Sequence, residues 1–498
     1  MKRCAGVLLN VSSLPGKYGI GGFSCNAEYF LNEFAGMGFK IWQTLPITSV
    51  GGGCYSPYSG MSTYAGNYLY IDMERLDGLL TGQELAEAEY RGGIYLTDYE
   101  YAARVKKELL LKAYYRVTPE IKGRVADFVE ENKNWLYDYA AFRILKSKFG
   151  DTCWNEWGEY AKHSDTLVKK VIADNEWEAG YFFFEQYYFF KQWAIIKNHA
   201  NNLGIKVFGD LPIYVSYDSV DVWACPSAFL LDKDYKPTKV AGVPPDYFAA
   251  DGQLWGNPLY NYEKMAKNNY KWWTDRIAHV HKLYDILRID HFRGLYEYWA
   301  VPAGAQTARE GHWEKGPQMA LFDAVKKVVP DLEIIAEDLG IIDEGVQKFL
   351  EETGFYGMRV IQFGFDGDPT NRHLPHNYEK HSVAYTATHD NDTTLGWLLS
   401  LYPYEVNTAL HYVNCDSGYG WADGAGYCRA TKAFIRAVMA SVSDVAIIPM
   451  QDLCGYGSDT RMNTPGRTDG CWTYRTNYGA LEGIDHGFIR DMIHTYGR

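Results

Sequence analysis

The sequence predicts an α/β fold, a closed (β/α)8 TIM barrel that occupies residues 1–498 as a single catalytic domain. The first observation is a recurring unit, in which a short apolar run ends in polar residues and a helix-length stretch follows. The second is the continuous apolar run Val445-Ala446-Ile447-Ile448, which is typical of a parallel strand buried on both faces. The runs lie at 6–11, 39–45, 205–215, 286–290, 332–336, 358–363, 382–389 and 445–449. Eight such units favour a closed barrel over an open sheet.

The spacing of the runs is uneven, which predicts two long additions to the barrel. The gap between the second and third runs is far longer than one crossover helix requires. Charged and apolar residues alternate there at helical spacing over 99–117 and 181–202, so we predict a mostly helical insertion at 72–180, between the second and third strands. A further long segment, 218–262, follows the third strand. Its prolines and glycines exclude a regular helix throughout, and long segments of this kind usually carry function.

Composition and charge narrow the classes of partner. The formal net charge is −13, which repels polyanions, so nucleic acid and anionic membranes are poor candidate partners. Aromatic residues make up 16% of the chain, and aromatic rings pack well against the flat C–H faces of sugars, so a neutral carbohydrate suits this composition better. No stretch approaches the roughly 20 apolar residues of a membrane span, and the apolar run after Met1-Lys2-Arg3 is too short for a signal peptide. We therefore expect a cytoplasmic protein.

Three acidic residues stand where barrel enzymes keep their catalytic groups, at the carboxyl ends of predicted strands. Asp290 ends the fourth run, Glu337 follows the fifth and Asp390 follows the seventh. Because side chains alternate along a strand, Arg288 points the same way as Asp290, and its charge favours the ionised carboxylate that a nucleophile requires. Glu337 follows apolar residues, so its carboxyl group is expected to be partly removed from water. This favours the protonated form that a general acid requires. This division of roles is the one that retaining glycosidases use.

Each of these residues also has a simpler structural interpretation. A single acid at a strand end is more often a helix cap or an ion-pair partner, and Asp338 is expected to cap the helix that follows it. His389 is either a core histidine with satisfied hydrogen bonds or, beside Asp390, a ligand for substrate hydroxyls. Three acids at three strand ends, one with an arginine two residues before it, favour catalysis.

Motifs that carry a family resemblance occur in order along almost the whole chain. They include Ser12-Ser13-Leu14-Pro15-Gly16, Ser56-Pro57-Tyr58, Gly209-Asp210-Leu211-Pro212, Gly242-Val243-Pro244-Pro245-Asp246-Tyr247, Gln253-Leu254-Trp255-Gly256-Asn257, Arg288-Ile289-Asp290-His291, Ala336-Glu337-Asp338-Leu339-Gly340, Thr388-His389-Asp390-Asn391-Asp392 and Arg461-Met462-Asn463. With these segments the chain resembles the amylomaltase or disproportionating-enzyme family, the 4-α-glucanotransferases of glycoside hydrolase family 77 in the α-amylase superfamily.

The resemblance assigns Asp290 as the nucleophile, Glu337 as the acid/base and Asp390 as the stabiliser of the transition state. It also implies a set of substrate-binding residues, comprising a donor site and an aromatic channel. These residues are Arg288, His389, Asp210, Tyr58, Tyr247, Trp255 and Asn257. The segment at 218–262 would cover the substrate. The implied partners are α-1,4-glucans and maltooligosaccharides, as donor and acceptor, and no metal or organic cofactor is implied.

The implied function is 4-α-glucanotransfer by a retaining double displacement through a covalent glycosyl-enzyme. The same three acids also serve hydrolases, so a retaining α-glucan hydrolase is the alternative. A third reading is an inactive glucan-binding scaffold, which the intact acids disfavour. The products from maltotriose discriminate the three, since only a transferase makes longer maltodextrins together with glucose.

Overall fold

The computed structural model describes residues 1–51, 55–245, 250–418, 420–467 and 469–498. The strands, in chain order, are β1 (Cys4–Leu8), β2 (Ile41–Gln43), β3 (Lys206–Leu211), β4 (Lys239–Val243), β5 (Gln253–Pro258), β6 (Ile286–Ile289), β7 (Glu297–Pro302), β8 (His312–Lys315), β9 (Glu333–Ala336), β10 (Gly357–Val360), β11 (Ser382–Tyr385) and β12 (Val445–Pro449). The α-helices are α1 (Cys25–Met37), α2 (Gly82–Glu87), α3 (Tyr99–Tyr115), α4 (Pro119–Lys148), α5 (Asp165–Asp174), α6 (Glu176–Asn202), α7 (Val220–Ala224), α8 (Tyr262–Ala266), α9 (Lys271–Leu283), α10 (Arg293–Tyr296), α11 (Met319–Val328), α12 (Glu344–Thr353), α13 (Thr394–Ser400), α14 (Pro403–Tyr412), α15 (Arg429–Ala440), α16 (Met450–Leu453), α17 (Tyr478–Glu482) and α18 (His486–Thr495).

Within the described residues, eight parallel strands form the barrel, and each lies in one of the eight runs that the sequence indicates or overlaps it. Their hydrogen-bonded order is β10-β11-β12-β1-β2-β3-β6-β9. The Ala336 N–H donates to the Tyr356 carbonyl at 2.8 Å, and Ile335 forms a parallel bridge with Tyr356. These contacts join β9 to the segment that leads into β10 and close the sheet. The prediction of a (β/α)8 barrel is confirmed.

Close packing between strands explains a glycine in β1. β1 lies between β12 and β2, with Gly6 opposite Ile447 on one side and Ile41 on the other. A Cβ atom on Gly6 would lie 2.6 Å from the Ile447 side chain and 2.7 Å from the Ile41 Cβ. All five residues of β12 are buried, as expected for a parallel strand covered on both faces.

Helices α2 to α6 lie between β2 and β3, after a long loop that follows β2, and a mostly helical insertion is predicted there at 72–180. Helices α3 and α6 lie where the charge alternation at 99–117 and 181–202 indicates helices, and α6 begins before position 180 and continues through it. Gln186 of α6 accepts a hydrogen bond from the Gly66 N–H at 2.7 Å and donates to the Gly66 carbonyl at 3.1 Å. This contact fixes the long loop that follows β2. None of the helices in the described ranges has the length and apolar character needed to cross a membrane.

A second sheet, which the sequence did not predict, is antiparallel and has the order β5-β4-β7-β8. Strands β4 and β5 lie inside the segment 218–262, whereas β7 and β8 follow β6. Trp299 lies opposite Trp313 across the β7–β8 pair, with ring centroids 5.1 Å apart in an edge-to-face arrangement. Strand β4 needs a glycine at position 242, because a Cβ atom on Gly242 would lie only 2.6 Å from the Gln253 carbonyl oxygen of the neighbouring strand. This sheet positions Trp255 of β5 beside the mouth of the barrel.

Candidate active site

The ends of β3 and β6 bring two carboxylates to one arginine. In the parallel register Asp210 lies opposite Arg288, and Asp290 follows two residues later on the same side of β6. One terminal nitrogen of the buried Arg288 guanidinium donates to Asp210 Oδ2 at 2.6 Å, and the other donates to Asp290 Oδ1 at 2.8 Å. A planar guanidinium that bonds to two carboxylates fixes both of them and stabilises their negative charge.

Glu337 emerges beside Asp290, because β6 and β9 are neighbours with Ile289 opposite Ala336. Two backbone N–H groups hold its carboxyl group. The His291 N–H donates to Oε2 at 2.7 Å and the Leu339 N–H donates to Oε1 at 2.9 Å. His291 adopts a left-handed backbone conformation with φ of 47°, which is uncommon for a residue with a Cβ atom. Backbone strain of this kind clusters at functional sites.

The surroundings of Asp290 and Glu337 favour one shared proton. Burial raises the pKa of Asp290, while the positive charge of Arg288 lowers it and the charge of Glu337 raises it further. Burial also raises the pKa of Glu337, against the opposing effects of Arg288 and the two backbone N–H groups. Adjacent carboxylates that are partly removed from water resist ionising together. The direct bond to the Arg288 cation favours the charge on Asp290, whereas Glu337 accepts hydrogen bonds only from neutral N–H groups.

Asp390 lies in the loop after β11 and is held by a second loop near the carboxyl end of the chain. Asn463 Nδ2 donates to Asp390 Oδ1 at 2.6 Å, and Arg461 donates to the Asp390 carbonyl oxygen at 2.7 Å. His389 Nε2 lies 3.4 Å from Asp390 Oδ2. The Asp390 side chain is partly exposed and lines the groove described below. Its carboxylate is therefore both oriented and accessible.

Tyr58, Asp210 and His389 form a hydrogen-bonded cluster next to the acids. The Tyr58 hydroxyl donates to Asp210 Oδ2 at 2.7 Å, and its oxygen lies 2.8 Å from His389 Nε2. Since the hydroxyl proton is directed at Asp210, the imidazole Nε2–H donates to the Tyr58 oxygen. Burial lowers the pKa of His389, which favours the neutral imidazole. The Tyr58 and His389 rings stack, with centroids 5.3 Å apart and planes 13° apart.

An open groove of about 2330 Å³ runs past these residues. Its volume is more than twice the upper end of the range of about 300–1,000 Å³ found for pockets that hold one small molecule. Aromatic side chains line it on several sides. They are Tyr55, Tyr58, Tyr99, Tyr214, Tyr217, Trp255, Phe363, Phe365, Trp397 and Trp472. A groove of this size and character can hold a chain of linked sugars.

The remaining residues predicted to bind substrate have different surroundings. Trp255 lines the groove with 38% of its surface exposed, and its ring lies edge-to-face with His291 at 4.9 Å, so it is not a core tryptophan. Asn257 also lines the groove, and its Nδ2 donates to the Val215 carbonyl at 2.9 Å. Tyr247 lies outside the described residues.

The expectation that Asp338 caps the next helix is wrong. Asp343 caps α12 instead. Asp338 is fully buried, where it accepts hydrogen bonds from the Met358 N–H at 2.6 Å and from Arg359 at 3.0 Å, and it also bonds to Arg372. The Asp338 carboxylate is thus bonded to two arginines that lie later in the chain. No local pattern in the sequence predicts these ion pairs.

Sequence reasoning assigned no role in the site to Arg461, Asn463 or Trp397. The first two hold Asp390, and all three line the groove. The segment Arg461-Met462-Asn463 is one of the motifs that carry the family resemblance, and it is the signal in the sequence that points to the first two. Trp397 lies on α13 directly after the Asp390 loop, and its sequence context carries no comparable signal.

Comparisons with known proteins agree with this geometry. A family model described as 4-alpha-glucanotransferase matches residues 9–481. A 4-alpha-glucanotransferase of Clostridium butyricum is 41% identical, over 98% of this chain and 100% of that protein. One of Thermus thermophilus is 39% identical, over 98% of this chain and 97% of that protein. The solved amylomaltase of Streptococcus agalactiae, in complex with acarbose, superimposes with a TM-score of 0.94 at 36% identity and full coverage of both chains. This chain belongs to the 4-alpha-glucanotransferase family, glycoside hydrolase family 77.

Proposed function

We propose that the protein is a 4-α-glucanotransferase, which moves α-1,4-glucan segments between maltooligosaccharides and glucans with retention of configuration. The observation that carries the proposal is the pairing of Asp290, bonded to Arg288, with Glu337, held by two backbone N–H groups, in a long open groove. Family membership supports the same reaction.

In the first half of the reaction Glu337 donates its proton to the glycosidic oxygen while Asp290 attacks C1 of the donor sugar. The bond from C1 to the glycosidic oxygen breaks, and a bond from C1 to the Asp290 carboxylate forms. The part of the donor beyond the broken bond leaves with a free 4-hydroxyl. Arg288 keeps Asp290 ionised and aligned before the attack.

In the second half Glu337, now a carboxylate, takes the proton from the 4-hydroxyl of an acceptor glucan. The acceptor oxygen attacks C1, the bond to Asp290 breaks, and a new α-1,4 bond forms. Two inversions give net retention. Asp390, oriented by Asn463, binds sugar hydroxyls and favours the positive charge that develops on the sugar ring in both transition states.

The acceptor sugar must compete with water for the glycosyl-enzyme. Trp255 is positioned to favour the acceptor sugar over water. Its partly exposed ring lies against His291, and the His291 N–H holds Glu337. An acceptor sugar stacked on this ring would place its hydroxyl near the base, whereas water gains nothing from such a surface. Tyr58, which lines the groove and stacks on the buried His389, offers a second aromatic surface, on the donor side.

A retaining α-glucan hydrolase would use the same acids, and an inactive scaffold would lack a working pair. The full-length relatives named as 4-alpha-glucanotransferases favour transfer over hydrolysis. The relative from Streptococcus agalactiae, solved with acarbose, supports an oligosaccharide site in this groove. We propose that the protein acts in the cytoplasm. A neutral α-glucan as substrate is in keeping with the net charge of −13.

The test is to incubate the protein with maltotriose and separate the products by chromatography. We expect glucose together with a ladder of maltodextrins longer than maltotriose. Shorter sugars alone would indicate a hydrolase, and unchanged maltotriose would indicate a scaffold. Asp290→Asn is the matched control, because it keeps the shape of the side chain, removes the nucleophile and should give no ladder.

A further inference from the structure

Two tyrosines form an exposed pair at the start of α14. Tyr402 and Tyr404 are 70% and 69% exposed, although large aromatic side chains usually bury most of their surface. Their ring planes are 6° apart and their centroids are separated by 6.2 Å. Leu399 beside them in sequence is exposed as well. Two exposed aromatic rings side by side are a candidate interaction surface.

The backbone that carries the pair is fixed, and the Tyr404 ring is also anchored through its hydroxyl. The Tyr402 N–H donates to one carboxylate oxygen of Glu405 at 2.9 Å, and the Tyr404 hydroxyl donates to the other at 3.3 Å. Pro403 lies between the tyrosines and fixes the backbone at the first position of the helix. A preformed surface loses less conformational entropy when a ligand binds to it.

The pair follows closely in the chain after residues of the catalytic groove. Phe365 and Trp397 line the groove with ring centroids 5.5 Å apart, and Ser400 at the end of α13 lines it too. Tyr402 follows Ser400 by two residues, which limits the separation of their Cα atoms to about 7 Å. The backbone of Tyr402 therefore lies close to the Ser400 side of the groove, within reach of a glucan that extends out of it there.

We propose that Tyr402 and Tyr404 form an accessory binding site for an α-1,4-glucan chain that extends out of the catalytic groove. The site rests on the proposed function, since it is defined by the substrate of that groove. Sugar rings present apolar faces that pack on aromatic rings. A second copy of this chain fits less well, because a stable interface buries about 800 Å² per partner and two aromatic rings supply at most about 500 Å².

The experiment compares the affinities for soluble amylose and for maltotriose in Asp290→Asn protein, which prevents turnover. Adding Tyr402→Ala with Tyr404→Ala should weaken amylose binding about fivefold more than maltotriose binding, since only a long chain reaches the pair. Tyr427→Ala is the matched control, because this tyrosine is also 70% exposed but is neither paired with another ring nor part of the groove lining in the described residues. The control should leave the ratio of the two affinities unchanged.

An unchanged ratio in a folded double variant would overturn the accessory site. So would a change of molecular mass in light scattering with both affinities intact, which would assign the pair to contact between two copies. The maltotriose ladder of the wild type is scored separately. A ladder with an unchanged ratio would keep the transferase and remove the site, whereas a changed ratio without a ladder would keep the site and remove the transferase.

Discussion

Replacing Arg288 by Met removes the cation that holds Asp290 ionised, and the expected result is a displaced pH profile. The guanidinium is buried and bonds to both Asp210 and Asp290, so the variant leaves two carboxylates without their counter-charge. Breaking a buried ion pair costs about 3–5 kcal/mol. The Asp290 side chain is 27% exposed, so water can solvate part of the charge that the arginine no longer neutralises. We therefore take about 2 kcal/mol as the loss of stabilisation of the ionised Asp290 carboxylate.

At about 1.36 kcal/mol for each pKa unit, this loss raises the pKa of Asp290 by about 1.5 units. The nucleophile must be ionised, so the acid limb of the plot of kcat/KM against pH should move upward by about 1.5 pH units, with maltotriose as substrate. Arg288→Lys is the matched control. It keeps the charge but cannot donate to both carboxylates through a planar fork, so its shift should be smaller. An acid limb at the wild-type pH in folded Arg288→Met protein would refute the role of this arginine.

Three other substitutions test the acceptor surface, a buried ion pair and the packing of the barrel. Trp255→Ala should lower the ratio of transfer to hydrolysis on maltotriose about two- to tenfold, and an equal loss of both reactions would contradict acceptor stacking. Asp338→Asn should lower the free energy of unfolding in urea by about 3 kcal/mol, because Arg359 and Arg372 lose their buried partner; a wild-type midpoint would argue against this. Gly6→Ala should cost about 1–3 kcal/mol in the same assay through overpacking, and a variant as stable as the wild type would show that the strands can separate.

The barrel could be predicted from the sequence because its strands are buried on both faces and read as apolar runs with polar ends. The three acids could be located for the same reason, since barrel enzymes place their catalysts at those ends. Alternation along β6 also gave the correct side for Arg288 relative to Asp290. These features are local, so each is visible within a few residues of sequence.

The antiparallel sheet and the partners of Asp338 could not be predicted in this way. β4 pairs with β7, which lies more than fifty residues later, and β4 itself is short and contains a glycine. Asp338 is bonded to arginines of β10 and of the loop beyond it. Tyr58 meets His389 only when the barrel closes. Long-range contacts decide these features, and neither periodicity nor turn chemistry encodes them.

Chemical trapping of the glycosyl-enzyme tests the central claim most directly. In Glu337→Gln protein the amide cannot protonate a glycosidic oxygen, but a maltosyl fluoride releases fluoride without that help and still glycosylates the nucleophile. Mass spectrometry of peptides should find one maltosyl group on Asp290, and none when Asp290→Asn is added. A label on another residue, or no label although the folded variant consumes the fluoride, would contradict the double displacement at Asp290.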